Sequence, residues 1–273
     1  MVLEGLISPL RAEERPWILI IIGLLYSSIG ILVARWVFNE YATMVMVFLI
    51  VLPSVPLIYA IIKIEEKKDL EINDERGRMF QHSKALSALI FLFIGVSIGL
   101  TLWFVLMPPE IAANVFKSQL ATIKQINAPT GAASSYQITA FGAILMNNIK
   151  VLIFCILFSF FYGIGAIFIL TWNASVIAAA MGTFVKQHLL NTNLVAAMSF
   201  GILRYFIHGI PEILAYFIGG LAGGIISIAV IKHHFSTKKF GNILVDSSDL
   251  IILAIVVLVL SALIEVFITP ALF

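Results

Sequence analysis

WILIIIGLLYSSIGILVARWVF, residues 17–38, decides the fold. Its only charge is Arg35, and a helix of this length covers a bilayer core of about 30 Å at 1.5 Å per residue. The run follows a polar start holding Glu4, Arg11, Glu13, Glu14 and Arg15. It exceeds the apolar core of a cleavable signal, about 7–15 residues, and reads as a retained anchor. Further apolar runs predict membrane helices over 43–63, 84–107, 149–172, 211–231 and 250–269. Trp17, Trp36, Trp103 and Trp172 fall at the ends of these runs, where indole rings favour the headgroup level. Pro53 and Pro56 predict a kink in the second helix, because each removes a backbone donor.

Composition agrees. Of 273 residues, 61% are hydrophobic and 12% charged, against about 45–50% and 25% in soluble domains. An ordinary cytosolic protein is excluded, and a net charge of +2 is too small to point to nucleic acid. The single cysteine, Cys155, can build neither a disulfide framework nor a thiolate metal cluster. The sequence predicts an all-α, polytopic transmembrane helix bundle of six to seven membrane helices. It forms one integral membrane domain over 1–273. A three-helix part spans 17–107, an extracytoplasmic loop 108–148 and a helical core 149–273.

Residues 63–84 hold Lys63, Lys67, Lys68, Arg76, Arg78 and Lys84 among six acidic residues. Orientation follows Lys and Arg, so this loop is expected in the cytoplasm, with Lys232, Lys238 and Lys239. The amino terminus is then cytoplasmic and the carboxyl terminus extracytoplasmic, in a cell membrane. This parity requires residues 173–210 to make one net crossing. They offer only two short apolar segments, 174–185 and 194–207, parted by Lys186, His188, Asn191 and Asn193. The sequence therefore predicts a broken or re-entrant segment near 174–210. Lys186 and His188 are expected to face water.

Within the outer loop, Ala112, Phe116, Leu120 and Ile123 form one helical stripe, with Lys117 and Lys124 elsewhere on the wheel. Such a helix can lie on the membrane surface, cover the bundle or dock a partner. Residues 127–139, rich in Ser, Thr, Ala and Gly, read as a loop. Gly95 and Gly99 share a helix face, as do Gly219 with Gly223 and Gly220 with Gly224, and such faces pack helices closely. Packing within the subunit is the plainer use; a homo-oligomer seam is the other.

Ionisable groups at membrane depth cost about 2.5–3.5 kcal/mol on insertion scales, so each needs a partner or a purpose. Asn148, His208, Glu212 and Glu265 are the candidate polar site, supported by Asn147, Asn173, Arg204 and Ser261. In His208-Gly209-Ile210-Pro211-Glu212, Gly209 and Pro211 predict a helix break, with Pro211 opening a new helix and Glu212 in its first turn. Asn173 is expected to cap the segment that follows it. Arg204 is a candidate partner for Glu212 or Glu265. Counting from Lys232 and from Asp249 puts Glu212 and Glu265 about 30 and 24 Å above the inner surface, in the outer half of the membrane. His208, Glu212 and Glu265 are expected to converge there.

His208 and Glu212 alone are too few for a catalytic metal, and the sequence has no His-Glu-x-x-His, Walker loop or dinucleotide fingerprint. Gly163 and Gly165 are expected inside a membrane helix and so not to cradle phosphate. No catalytic residue, metal or cofactor is expected. The partners expected are the lipid bilayer and a membrane or extracytoplasmic protein.

The order Asn147-Asn148, Phe160 to Gly165, Asn173, Gly182, His208-Gly209-x-Pro211-Glu212, Gly219-Gly220 and Ile264-Glu265 to Pro270 resembles the stage II sporulation protein M family of integral membrane proteins. The resemblance covers residues 145–273. It implies, in endospore formers, a membrane member of a complex with peptidoglycan-degrading enzymes acting during engulfment, and His208, Glu212 and Glu265 as signature residues. The function expected is a non-enzymatic membrane scaffold or assembly factor, with a transporter or channel as the alternative.

Overall fold

The computed structural model describes residues 7–71, 75–126, 136–162, 165–231 and 238–272. Among them every regular element is helical. A short α1 (Pro9–Glu14) leads into α2 (Ile18–Val37), and a 3₁₀ turn at Asn39–Tyr41 leads into α3 (Ala42–Glu71) and α4 (Glu75–Leu106). Two short helices, α5 (Pro109–Val115) and α6 (Lys117–Ile126), precede α7 (Tyr136–Tyr162), α8 (Ala166–His188) and α9 (Leu194–Ile231). The chain ends in α10 (Lys238–Leu263), a π-helical turn (Ile264–Ile268) and α11 (Thr269–Leu272).

Seven helices are long and apolar enough to cross a membrane: α2, α3, α4, α7, α8, α9, and α10 with its extension. The predicted helix at 149–172 is corrected. It straddles two spans, α7 and α8, and the segment 174–185 is the latter part of α8. Gly165, expected inside a membrane helix, lies in the turn before α8. The break near 174–210 is a short turn at 189–193 between two full spans rather than a re-entrant piece. Seven crossings supply the net crossing that parity demanded. The break predicted at Gly209 and Pro211 is corrected too, because α9 runs unbroken for 38 residues through Pro211. A proline frees a carbonyl one turn back, and in a bundle neighbouring hydroxyls satisfy such groups. The carbonyl that Pro211 frees is that of Ile207, four residues back; on the next residue Ser261 Oγ donates to the His208 carbonyl at 2.7 Å and ties α9 to α10 beside the proline.

The charged loop 63–84 is also largely helical, as α3 runs to Glu71 and α4 starts at Glu75. The side chains of Lys67, Lys68, Arg76, Arg78, Lys232, Lys238 and Lys239 lie outside the described set. So do residues 127–135 of the predicted loop; residues 136–148 belong to α7.

The outer stripe 110–127 forms two helices, not one, and turns inward at the fully buried Phe116. Thr43 Oγ1 donates to the Val115 carbonyl at 2.7 Å. The buried Gln119 donates from Nε2 to Ser175 Oγ at 3.0 Å. Ser175 lies about 20 Å along α8 from its His188 end, so α6 reaches into the bundle instead of lying across its top.

Close backbone contacts join the layers. A methyl group on Gly95 would lie 2.7 Å from Ile20 Cα, and one on Gly23 would lie 2.6 Å from the Leu92 carbonyl oxygen. Gly99 faces Ser27 and Leu24, and Trp103 Nε1 donates to Ser28 Oγ at 2.9 Å. Trp17 and Trp36 are exposed near the ends of α2, whereas Trp172 lies well inside α8 and Trp103 is bonded within the bundle. Helices α7 and α10 are peripheral: 22% and 28% of their most apolar stretches are buried, against 44–67% in the other five spans.

Candidate functional site

The contacts of α9 set the register of the site. On α7, Leu152 and Ile156 meet Gly219, Ile156 meets Gly223, and Ser159 meets Gly220. Asn148 continues this stripe one turn earlier, so it faces α9 at the level of Ala215. On α8, Ala166 meets Gly220, Ile177 meets Gly209 and Met181 meets Gly201. Asn173 falls on that stripe, opposite Glu212 and Ile213. Gly209, Glu212, Tyr216, Gly220 and Gly223 follow one another along a single face of α9. Gly224 is buried. The glycine face is thus occupied within the chain by α7 and α8.

Around this face the side chains are wired unevenly. Tyr216 is fully buried and donates from its hydroxyl to Glu212 Oε1 at 2.8 Å. Thr269 Oγ1 lies 3.3 Å from His208 Nδ1, and Ser261 holds the His208 carbonyl, so α10 and α11 both grip α9 at His208. Glu265 sits in the π-helical turn, a local widening that re-aims side chains and recurs at functional sites. Glu265 and Glu212 are electrostatic neighbours, and Tyr216 senses both of them and Cys155. Glu265 has no hydrogen-bond partner among the described residues. Both carboxyls are partly buried.

Asn148 is 3% exposed and its Nδ2 has no partner; the Asn173 Nδ2 is likewise buried and unpartnered. Asn147 is exposed and reaches Asn148 Oδ1 only at 3.5 Å. Asn173 is therefore a residue of the layer in mid-helix and not a cap. Arg204 does not meet the carboxyls: it lies over the Phe184 ring, 5.2 Å from its centroid. Lys186 is half-buried and already engaged at the helix ends. Its Nζ donates at 2.8 Å to the Met107 carbonyl, just past the end of α4, and lies over Phe104. His188 stacks on Phe184 with its Nδ1 2.9 Å from the Phe184 carbonyl.

The depth estimate changes with the helix. Glu212 is 18 residues from Leu194 and 19 from Ile231, at the midpoint of α9, whereas Glu265 is 7 residues before Leu272. The outer-half position of Glu212 rested on taking Lys232, which lies outside the described residues, as the inner surface; measured on α9 itself, Glu212 is central. Sequence reasoning missed Tyr216, Thr269 and Gln119. Tyr216 carries a readable signal, its i+4 spacing from Glu212.

Among the described residues no group of three His, Cys, Asp or Glu side chains could hold a metal ion. A cavity of about 20 Å³, lined by Ser54, Phe93, Thr171 and Phe217 among others and by none of the polar-layer residues, has room for roughly one water.

Fold and site together define a polytopic helical membrane protein with a polar layer across four of its helices. The chain belongs to the stage II sporulation protein M family, whose model matches residues 88–270. That span adds the third membrane helix, α5 and α6 to the C-terminal part. No curated protein and no solved structure matches the chain.

Proposed function

We propose that the protein is a non-enzymatic, multi-pass scaffold or assembly factor of the cell membrane, holding a membrane or extracytoplasmic partner for envelope or membrane remodelling. Family membership carries this reading. The broad apolar sides of α7 and α10, with Phe154, Phe158 and Phe161 exposed on α7, support it as surfaces for lipid or a partner helix. The Lys and Arg distribution supports a cytoplasmic amino terminus, and seven membrane-length helices would then leave the carboxyl terminus outside. The test is partner capture from native membranes by crosslinking and mass spectrometry, beside a Glu212→Gln/Glu265→Gln variant. A stoichiometric membrane or envelope protein, lost in the variant, is expected; recovery of the chain alone refutes the scaffold.

A second reading, transport, is favoured by one observation: Glu265 lies beside Glu212 with no hydrogen-bond partner among the described residues. Ion flux in reconstituted vesicles, abolished by Glu265→Gln, is its expected signature.

A further inference from the structure

Four helices bring acceptors to one level of the bundle, and among the described residues no lysine or arginine is bonded to them. Glu212 and Tyr216 come from α9, Glu265 from the π-helical turn, Asn148 from α7 and Asn173 from α8. The basic groups of the packed elements are engaged elsewhere. Arg204 lies on Phe184, Lys186 on the Met107 carbonyl, and Lys150 is exposed on α7. Among the described residues Arg204 is an electrostatic neighbour of His208 and Tyr205 rather than of Glu212 or Glu265. The other titratable groups nearby are Tyr216, bonded to Glu212, Cys155, an electrostatic neighbour of Tyr216, and His208, which meets Thr269. Two carboxylates sharing a low-dielectric site repel each other and lose hydration, so one positive charge at the site is strongly favoured.

The amides point the same way independently. Asn148 and Asn173 lie on the stripes of α7 and α8 that face α9, and each has a buried terminal nitrogen without a partner. A buried amide left unsatisfied is uncommon in folded proteins and indicates a further group in the site. Turned by half a rotation, either amide presents its oxygen instead, since the two atoms are assigned from the bonding network. With the carboxyl and phenol oxygens they make a set of hard oxygen donors, which suits a proton or an alkali cation better than a soft transition metal.

We propose that this layer is a binding site for one monovalent cation, a proton or a sodium ion, held between Glu212 and Glu265 with Asn148 and Asn173 as neutral ligands. The site stands whether the protein is a scaffold or a transporter, since it concerns what occupies the layer.

Infrared spectroscopy of the full chain in lipid nanodiscs tests it. Spectra are taken through the carboxyl stretch across neutral pH, with sodium exchanged for choline. If the cation is a proton, a protonated-carboxyl band persists at neutral pH and ignores sodium. If it is sodium, the band present in choline is lost when sodium is added. Both outcomes support the site, and in both the band falls in Glu212→Gln and in Glu265→Gln but not in the exposed control Glu14→Gln. A wild-type spectrum with no protonated carboxyl near neutral pH and no response to sodium overturns the proposal, without reliance on any variant.

Discussion

Gly95→Ala sets the packing of α2 against α4 in conflict with helix propensity. The new methyl would sit 2.7 Å from Ile20 Cα and 2.9 Å from its carbonyl carbon, and closer still to its carbonyl oxygen. These are backbone atoms, so no rotamer relieves them, and ordinary contact of at least 3.4 Å requires the helices to part by more than about 0.7 Å. A rigid shift of that size would stretch the 2.9 Å bond from Trp103 to Ser28 beyond ordinary hydrogen-bond range. Overpacking of this kind costs about 1–3 kcal/mol. Replacing glycine by alanine in a helix returns up to about 1 kcal/mol. Gly142→Ala on α7 isolates that second effect, because nothing lies within 4 Å of its added methyl. The difference between the two variants should therefore equal the packing cost, with Gly95→Ala the less stable by about 1–3 kcal/mol. Steric trapping in bicelles measures it. Equal stabilities, within about 0.5 kcal/mol, would refute the close backbone contact.

Tyr216→Phe deletes the donor to Glu212 and should destabilise the chain by about 0.5–1.5 kcal/mol in the same assay; unchanged stability would mean the bond is not formed. Lys186→Met uncaps the carbonyl end of α4, and hydrogen exchange over residues 104–112 should speed up while α9 stays protected. Cys155 is fully buried, which leaves a quiet background for labelling single cysteines introduced at exposed positions. Asn39→Cys and Asn191→Cys should react from one side of the membrane, and Lys63→Cys and Gly241→Cys from the other; any other partition breaks the seven-span topology.

The helical membrane class was legible because apolar runs of bilayer length have few other uses. The spans of α2, α3 and α4 were legible for the same reason. The α7–α8 boundary was not: apolar sequence continues through it, and a rule based on length alone cut the run in the wrong place. Residues such as Asn173, Ser175 and Lys186 made α8 look too polar to span, yet Ser175 meets Gln119 and Lys186 donates to the Met107 carbonyl just past the end of α4. Pro211 read as a break because a membrane helix carries a proline only where neighbouring helices support it, and the sequence does not show which do. His208, Glu212 and Glu265 stood out by the cost of placing them in a membrane. Their relation to Asn148 and Asn173 depends on the register set by glycine contacts, which spacing along one chain cannot supply.

The length of α9 has a mechanical consequence. Its 38 residues make a rod of about 57 Å, and even a tilt of about 40° leaves a projection near 44 Å across a hydrocarbon layer of about 30 Å. The rod therefore pierces the headgroup region, and its midpoint carries Glu212. Bending stress from a curved or thinned bilayer acts on such a lever at its ends and is felt at its fulcrum. In this chain the fulcrum is where Pro211 weakens the helix and Ser261 clasps it.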